Sequence, residues 1–355
     1  MPTLYERIYG CLAGSRIGSA MGAAVEGWDP ERIQETHGRV TGFLPYTHYR
    51  ERGITWERMP GTTEDGIERQ KLICAAIIAK QGRITAEDLH RTASELTDLD
   101  NMRYMTQPED LRVIGLIKAG VPAAEVGRLS GWHGLNFARA CQPIGCINAG
   151  QPDEAVRDVR DIGRLFFPPT DSALDWAAVY VAGIAAALAP DATVVSTIAA
   201  AREAAPERYR WEIDRALETA TVSESEAALR AAFYKHYDGW GIPYAISYGN
   251  ETVCKALAVF RFADGNAREA ILVSVNMGRD TDCLAASAGG LAGALTGLET
   301  LPQAWIDQVD RATAANPYAN IQGPIEDHAK GLYQALQSRA HRARAWANRI
   351  VERDA

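Results

Sequence analysis

The chain has 355 residues, 47% of them hydrophobic and 23% charged, a composition typical of a globular protein with a sizeable core. Its formal net charge of −8 argues against a nucleic-acid-binding protein, which normally carries a basic face. The N-terminus lacks the layout of a signal peptide, and the longest apolar run is shorter than the about 20 residues of a membrane span. With six scattered cysteines that read as reduced and buried, we expect a cytoplasmic protein without membrane or nucleic-acid partners.

Alanine-rich windows with the periodicity of α-helices dominate the chain, and no break in composition divides it. In chain order these windows cover residues 66–81, 172–189, 193–204, 212–219, 224–236, 251–263, 266–276, 283–297 and 327–350. The stretch RVTGF at 39–43 is a weak exception with strand-like alternation. We therefore expect an all-α protein with a single domain over residues 1–355. The sequence carries no indication of an oligomeric state.

Helix start signals are found at Thr85 with Asp88, at Asp153, and at Ser223 with its capping-box glutamate three residues later. The C-terminal stretch SRAHRARAWANRIVERDA predicts a mixed-charge helix with a solvated face. We expect Trp346 in this helix to be buried against the body of the protein, together with Ile350.

Two stripes of glycine recur every four residues, one at 10, 14, 18 and 22 and the other at 289, 293 and 297. Glycine inside a helix costs about 1 kcal/mol per residue relative to alanine, so this regularity needs a reason. Four-residue spacing lines one face of a helix, and a face without Cβ atoms lets another backbone approach closely. We expect tight packing of two central helices and, as a stronger hypothesis, contact between the two stripes.

Acidic and hydroxyl residues lie at the edge of each stripe and in a third segment. Glu26 follows the first stripe, Asp280 and Asp282 precede the second, and TTED at 62–65 precedes the helical window at 66–81. Each group taken alone is explained by helix N-capping. Taken together, the carboxylates and hydroxyls are hard oxygen donors that suit Mg²⁺, Ca²⁺ or Mn²⁺. Both interpretations stay open at this point.

The order of these segments resembles the motifs of the ADP-ribosylglycohydrolase family. GSRIGSAMGAAVE (14–26) is similar to the family's G-x-x-x-G-D-x-x-G-x-x-x-E, TED (63–65) to its T-D-D, and GRDTDC (278–283) to its G-[GR]-D-x-D-[TS]. QPIG (142–145) and LPQAW (301–305) resemble two further family segments. The match covers about residues 8–310, which leaves 311–355 as a C-terminal helical segment. The three motifs are specific in combination, although each is weak alone.

The resemblance implies an orthogonal bundle of many helices around a cleft with two Mg²⁺ ions, or Mn²⁺ in their place. In the family pattern Glu26 lies over the site, near the anomeric carbon. The ligands implied for one ion are Thr63, Glu64 and Asp65, those for the other are Asp280 and Cys283, and Asp282 is shared. Glu26, Asp65 and Asp282 are the expected catalytic residues. The implied reaction cleaves an N- or O-glycosidic bond of ribose, with the metals holding hydroxyls and polarising a water molecule.

Three positions depart from the family pattern and indicate a divergent member. Ser19 and Glu64 each stand where the family has an aspartate, and Cys283 stands where it has Thr or Ser. The extra methylene of Glu64 moves its carboxylate by about 1.5 Å. A thiol is a poor ligand for Mg²⁺, so we expect weaker binding of the second ion. The histidine that often follows the central segment is also missing.

Candidate substrate-binding residues lie in the aromatic segment FYKHYDGWGIPYAISYGNE and around the metal motifs. Trp240, Tyr244 and Tyr248 would either stack on a nucleobase or pack in the core, and both interpretations stay open. His133 lies in a loop ahead of the central segment, although a lone histidine is more often structural. Ser19 is the candidate from the first motif.

Arginines offer contacts for phosphates. Arg50, Arg52 and Arg58 lie ahead of the TTED segment and either meet phosphates or are solvated. Arg279 either pairs with Asp280 or reaches a phosphate, and the two alternatives are held equally.

The function that follows from the resemblance is that of a magnesium-dependent hydrolase acting on a ribosyl bond. Its partner is an ADP-ribosylated macromolecule or a small molecule derived from NAD or a nucleotide, and the departures favour the small molecule slightly. The alternatives are a catalytically inactive member that binds a ligand or has a structural role, and a scaffold stabilised by calcium.

Overall fold

The computed structural model describes residues 2–237 and 247–351, and the chain in these ranges is helical. These ranges hold no β-strand, only two isolated bridges, Tyr46 with Arg58 and Leu135 with Tyr248. The all-α prediction is confirmed, and the strand-like stretch at 39–43 forms a loop. None of the described helices has the length and apolar character that crossing a bilayer requires.

Eighteen α-helices and three short 3₁₀ turns form the described part of the chain. The α-helices in chain order are α1 (Leu4–Gly22), α2 (Pro30–His37), α3 (Asp65–Lys80), α4 (Ala86–Leu96), α5 (Leu99–Met105), α6 (Pro108–Lys118), α7 (Ala123–Leu129), α8 (Gln142–Ile147), α9 (Pro152–Gly163), α10 (Ser172–Ala187), α11 (Val194–Ala204), α12 (Glu207–Val222), α13 (Glu226–Tyr237), α14 (Gly249–Phe262), α15 (Ala267–Val275), α16 (Thr281–Thr296), α17 (Gln303–Ala315) and α18 (Ile325–Val351). Each predicted helical window corresponds to one of these helices.

The start signals are confirmed at one helix and corrected at two. Thr85 and Asp88 form a capping box at α4, each side chain accepting the other residue's backbone N–H. Asp153 lies in the first turn of α9, and the N-cap is Gln151. Ser223 does not cap α13, because its hydroxyl donates to a carbonyl in the last turn of α12.

The centre of the fold is the antiparallel contact between α1 and α16, where the two glycine stripes meet. A Cβ on Gly14 would lie 2.7 Å from the carbonyl carbon of Gly289. A Cβ on Gly293 would lie 3.1 Å from the backbone nitrogen of Cys11. Real Cβ atoms do not approach other atoms as closely as the first of these distances. The hypothesis that the stripes lie against one another in the core is therefore confirmed.

Other helices surround this central pair and bury it. Helix α16 also packs against α15, α14 and α10, and α1 packs against α15, α17 and α18. At one end of the pair, a Cβ on Gly22 would lie 2.6 Å from the backbone of Asp282. The glycine contact thus places the N-terminus of α16 against the C-terminus of α1, deep inside the bundle.

The C-terminal helix corrects one prediction. Trp346 and Ile350 are 61% and 52% exposed, so neither is buried against the body. Helix α18 is held by Arg339, which donates to the carbonyl oxygen of Ile147 at 2.5 Å, and by Arg342. Residues 341–350 at the end of this helix are exposed, apart from a half-buried residue 347.

A buried polar group ties α18 to the central helix. The Arg16 guanidinium donates to Gln70 Oε1 at 3.0 Å and lies 3.3 Å from Nδ1 of His328. Burial, followed by the charge of Arg16, lowers the pKa of His328 to about 3. His328 is therefore neutral in the folded protein at neutral pH.

We predict that Gly14→Ala lowers the free energy of unfolding by about 2 kcal/mol, because the new methyl group meets the backbone of α16. Urea denaturation followed by circular dichroism measures the change. The matched control is Gly115→Ala inside α6, where an added Cβ has no neighbour within 4 Å. At Gly115 we expect the free energy of unfolding to rise by up to about 1 kcal/mol, because alanine has a higher helix propensity than glycine. Equal effects at the two positions would contradict the proposed role of the stripes.

The depressed pKa of His328 predicts a pH-dependent stability. The unfolded chain takes up a proton below a pKa of about 6.5, whereas the folded chain does so only near 3. Above about pH 6.5 the free energy of unfolding therefore keeps its full value, and about 2 kcal/mol of it is lost by pH 5. His328→Gln should remove this part of the decline between pH 7 and 5. His341→Gln, at an exposed position of α18, should leave the decline unchanged. An identical pH dependence in wild type and His328→Gln would show that the histidine is not responsible.

Candidate functional site

The N-terminus of α16 brings three of the predicted site residues together. Asp280 is the N-cap, and its Oδ1 accepts the backbone N–H of Cys283 at 3.3 Å. One ligand atom each from Asp280, Asp282 and Cys283 lie within 4.8 Å of one another, and all three residues are buried. Capping explains one oxygen of Asp280 but not the rest of the cluster.

A tight turn joins this cluster to the segment that carries Glu26. Gly278 and Arg279 both have a positive φ, 73° and 63°. The N–H of Arg279 donates to the carbonyl of Trp28 at 2.8 Å, and the N–H of Gly27 donates back to the carbonyl of Arg279 at 2.8 Å. These bonds lie directly after Glu26 in the chain and tie its segment to the turn before α16. Burial, followed by the charges of Asp282 and Asp280, raises the pKa of Glu26 well above its usual value.

Two buried oxygens in the cluster carry no hydrogen bond. Within residues 2–237 and 247–351, no donor reaches Oδ2 of Asp280 or Oδ1 of Asp282. Burial, then the neighbouring charge of Asp282, raises the pKa of Asp280 well above its usual range. Buried carboxylate oxygens without donors are costly unless a cation or a proton meets them. The pair therefore fits a hard divalent cation.

The second acidic motif lies at the start of α3 and is organised differently. Asp65 accepts the N–H of Gly66 at 2.7 Å through Oδ1. Glu64 is at the N-cap position but makes no capping bond, so the capping interpretation of its side chain is wrong. The backbone N–H of Glu64 donates to Ser19 Oγ at 3.1 Å. Ser19, predicted on the substrate side, thus holds the Glu64 backbone, and Thr63 is buried next to it.

Two side chains engage the Glu64 carboxylate through Oε1, and a third lies beside Oε2. Tyr46 donates to Oε1 at 2.6 Å, Arg58 pairs with the same oxygen, and His48 Nδ1 lies 3.1 Å from Oε2. Arg58 is buried, so neither a solvated nor a phosphate-binding role describes it. Of the other two loop arginines, Arg50 is exposed and Arg52 donates to a backbone carbonyl at 3.1 Å.

Arg139 links the two acidic motifs. Its Nη2 lies 2.6 Å from Asp65 Oδ1 and its Nη1 lies 3.4 Å from Asp282 Oδ2, while Nη1 also contacts the sulfur of Cys283. Burial opposes the charge, but Asp65 and Cys283 hold the pKa of Arg139 above its usual value. Burial alone would raise the pKa of Asp65, but the charges of Arg139 and Arg69 lower it. This ion pair keeps Asp65 anionic.

Sequence reasoning missed Arg139 and His48, which lie beside the predicted carboxylates. Arg139 is a single charge in the apolar stretch NFARACQPIGCI, three residues before the central motif, and this was the available signal. His48 lies between two predicted carboxylates, with Nε2 3.4 Å from Glu26 Oε2. Burial, then the charge of Arg58, lowers the pKa of His48 to about 4, so the imidazole is neutral. Nothing in the sequence around His48 distinguishes it.

Arg279 does not pair with Asp280. Its Nε and Nη2 donate to the two oxygens of Glu251 at 2.8 and 2.9 Å. Glu251 also accepts from Lys255 at 2.5 Å. The pairing alternative is therefore wrong, and contact of Arg279 with a phosphate stays a prediction. Glu251 was not recognised in the sequence, although it ties α14 to the turn before α16.

The predicted substrate residues are divided between the cluster and a cavity next to α14. His133 and Tyr248 line a cavity of about 510 Å³, together with Trp176 and Arg208. His133 is 73% exposed and lies 3.3 Å from Asp171, and none of the clustered carboxylates lines this cavity. Trp240 and Tyr244 lie outside the described residues.

The structure defines an all-α protein in which carboxylates gather at the N-termini of two helices. The sequence model of the ADP-ribosylglycohydrolase family matches residues 1–342, so the chain belongs to this family. Membership supports a glycohydrolase acting on ADP-ribosyl-type substrates, in a family that generally uses divalent metals.

Similar individual proteins include one from Escherichia coli and one with a solved structure. The uncharacterized protein YegU of Escherichia coli (strain K12) is 24% identical over 319 residues, which cover 86% of this chain and 92% of YegU. A solved structure named ADP-ribosylglycohydrolase-related protein complex superposes with a TM-score of 0.64 at 19% identity, covering 94% of this chain and 99% of that one. At this identity the second similarity supports the fold alone.

The repulsion between Asp280 and Asp282 predicts that a neutral side chain stabilises the metal-free protein. Asp280→Asn keeps the oxygen that caps α16 and removes one buried charge, so we expect the free energy of unfolding in EDTA to rise by about 1 kcal/mol. Thermal unfolding by calorimetry measures this. Asp29→Asn is the control, because Asp29 caps α2 through Oδ1 at an exposed position. A loss of stability in Asp280→Asn would argue against uncompensated repulsion at the site.

Proposed function

We propose that the protein is a divalent-cation-dependent glycohydrolase that cleaves the bond between ribose and its substituent in an ADP-ribosyl-type substrate. The observation that carries the proposal is the pair of buried carboxylate oxygens on Asp280 and Asp282 that no donor from the described residues reaches. They lie next to the segment that holds Glu26. A site of this kind retains uncompensated negative charge for a ligand rather than for folding.

Asp280 and Asp282 would hold the cation, and Mg²⁺ is the expected ion because both residues offer hard oxygen donors. Once bound, such an ion orients ribose hydroxyls and lowers the pKa of a bound water molecule. The resemblance predicts two ions, with Thr63, Glu64 and Asp65 at one of them. The engagement of Glu64 Oε1 by Tyr46 and Arg58 disfavours its carboxylate as a ligand.

Glu26 is the proposed proton carrier. Its side chain is 17% exposed, whereas those of Glu64, Asp65 and Asp282 are 3% exposed or less. Glu26 is thus the carboxyl group best placed to meet a substrate. Its raised pKa allows it to hold a proton and to transfer it to the leaving group. The neutral imidazole of His48 lies beside it, with Nε2 3.4 Å from Glu26 Oε2.

Asp65 has a different role in this proposal. Its paired and anionic carboxylate is unsuited to carrying a proton, and we assign it to positioning Arg139.

The substrate class rests on the family and on the cavity next to α14. Tyr248 and Trp176 offer aromatic surface and Arg208 offers a positive charge, the groups that a nucleobase and a phosphate require. The cavity is about 510 Å³, which is large enough for a nucleotide-sized ligand. A small NAD- or nucleotide-derived substrate and an ADP-ribosylated macromolecule both present this moiety.

One observation favours a second candidate function, that of a non-catalytic ligand-binding protein. Two of the implied metal ligands, Glu64 and Asp65, are already paired with buried arginines. In such a protein the fold and the cavity are retained while turnover is lost.

The test is hydrolysis of arginine- and serine-linked ADP-ribosyl peptides and of NAD-type small molecules in millimolar Mg²⁺, with products separated by chromatography. We expect ribosyl release that EDTA abolishes. Asp282→Asn and Glu26→Gln should each lower kcat by about 10²- to 10⁴-fold, since each removes a group from the reacting centre.

The control is Asp191→Asn, which neutralises an exposed carboxylate between α10 and α11 and should leave turnover unchanged. Unchanged turnover in Asp282→Asn would reject the assignment of the site. Binding of ADP-ribose without release from any substrate in the panel would favour the ligand-binding alternative.

A further inference from the structure

The guanidinium of Arg139 occupies the space between the two acidic motifs. It reaches Asp65 at the start of α3 and Asp282 at the start of α16, at 2.6 and 3.4 Å. Its side chain is 5% exposed, so this charge is surrounded by protein rather than by water. A positive group in this position offsets part of the negative charge of the two carboxylates, as a metal ion between them would.

The chain around Arg139 is shaped to accommodate it. An added Cβ on Gly66 would lie 2.5 Å from Nε and 2.7 Å from Cγ of Arg139. Gly66 lies in the first turn of α3 without a positive φ, so its backbone does not require glycine. The missing side chain instead leaves the room that the arginine fills.

Cys283 completes this arrangement. Its sulfur contacts Nη1 of Arg139, at the position where the family pattern has a hydroxyl. A thiol is a poor partner for Mg²⁺, but its sulfur accepts the N–H of Nη1 here. Gly66, Arg139 and Cys283 therefore form a set of mutually adapted residues on three different elements.

Asp282 divides its two oxygens between two cations. Oδ2 lies toward Arg139, whereas Oδ1 has no donor among the described residues, like Oδ2 of the neighbouring Asp280. A divalent ion therefore has one position available, on the side of Asp280, and the other position is already filled.

We infer that Arg139 is a built-in cation that replaces one of two metal ions, so that the site takes a single divalent ion. This inference rests on the proposed function, since it presumes that Asp280 and Asp282 hold a metal. The guanidinium can donate hydrogen bonds but has no coordination position for a substrate hydroxyl or water. The residues that remain for a metal are those at the N-terminus of α16.

Mn²⁺ alone is a suitable probe, because its electron paramagnetic resonance signal reports both the number of bound ions and their proximity. The wild-type protein should bind one Mn²⁺ per chain. Arg139→Gln, which removes the positive charge, should bind two, with a signal broadened by two ions about 3.5–4 Å apart. Arg139→Lys keeps the charge and should still bind one. Arg7→Gln removes a buried arginine of α1 that donates to backbone carbonyls, and should also bind one.

Cys283→Thr tests whether the arginine or the thiol excludes the second metal ion. It also keeps the inference testable if Arg139→Gln does not fold. It restores the hydroxyl of the family pattern but leaves Arg139 in position, so we expect one Mn²⁺. Two ions in Cys283→Thr would show that the thiol alone excludes the second metal, which overturns the inference. One ion in a folded Arg139→Gln would overturn it as well.

The number of Mn²⁺ ions that the wild-type protein binds distinguishes a failure of this inference from a failure of the proposed function. Two ions in the wild type would overturn the role of Arg139 and leave the proposed hydrolase intact. No bound ion in any variant at millimolar Mn²⁺ would overturn the proposed metal site itself.

Discussion

The close approach of α1 and α16 is the contact on which the site depends. Along this pair the backbones meet at glycine and alanine, so that an added Cβ on Gly18 would collide with Ala285. A contact of this kind fixes the axial register of the two helices, because any slip brings side chains against backbone. The N-terminus of α16 is thereby held beside Glu26 with little freedom. Rigid burial keeps Asp280 and Asp282 in place even though their charges repel each other.

The free-energy cost of burying these carboxylates is offset by arginines at some positions of the site and not at others. Arg58 neutralises Glu64, Arg69 reaches both oxygens of Asp110 at 2.8 Å through Nη1, and Arg139 neutralises Asp65. Each of these carboxylates therefore belongs to a structural ion pair. These ion pairs surround Asp280 and Asp282 at the N-terminus of α16, each of which keeps one oxygen without a donor among the described residues. This contrast within one cluster distinguishes groups that stabilise the fold from groups that await a ligand, and burial or acidity alone does not make that distinction.

Much of the fold and the acidic residues of the site could be predicted from local patterns. Helical periodicity, the glycine spacing and the three motifs are all short-range features, and the helices are found where the windows predicted them. The partners of the charges could not be predicted in this way. Arg139 and Asp282 are 143 residues apart, and Arg279 and Glu251 are 28 apart. The exposure of Trp346 was missed for a related reason, since burial requires a neighbouring surface that the helix itself does not encode.

The amino-acid sequence by itself determined the helical class, the family and the carboxylates that could hold a metal, because these depend on residue type and on spacing along one helix or turn. Only the tertiary structure decided which carboxylates keep open oxygens and which are occupied by arginines. That outcome depends on distances of a few ångströms between distant segments. Gly66 illustrates the difference: in the sequence it is a glycine next to an aspartate, and in the fold it provides the space for a guanidinium.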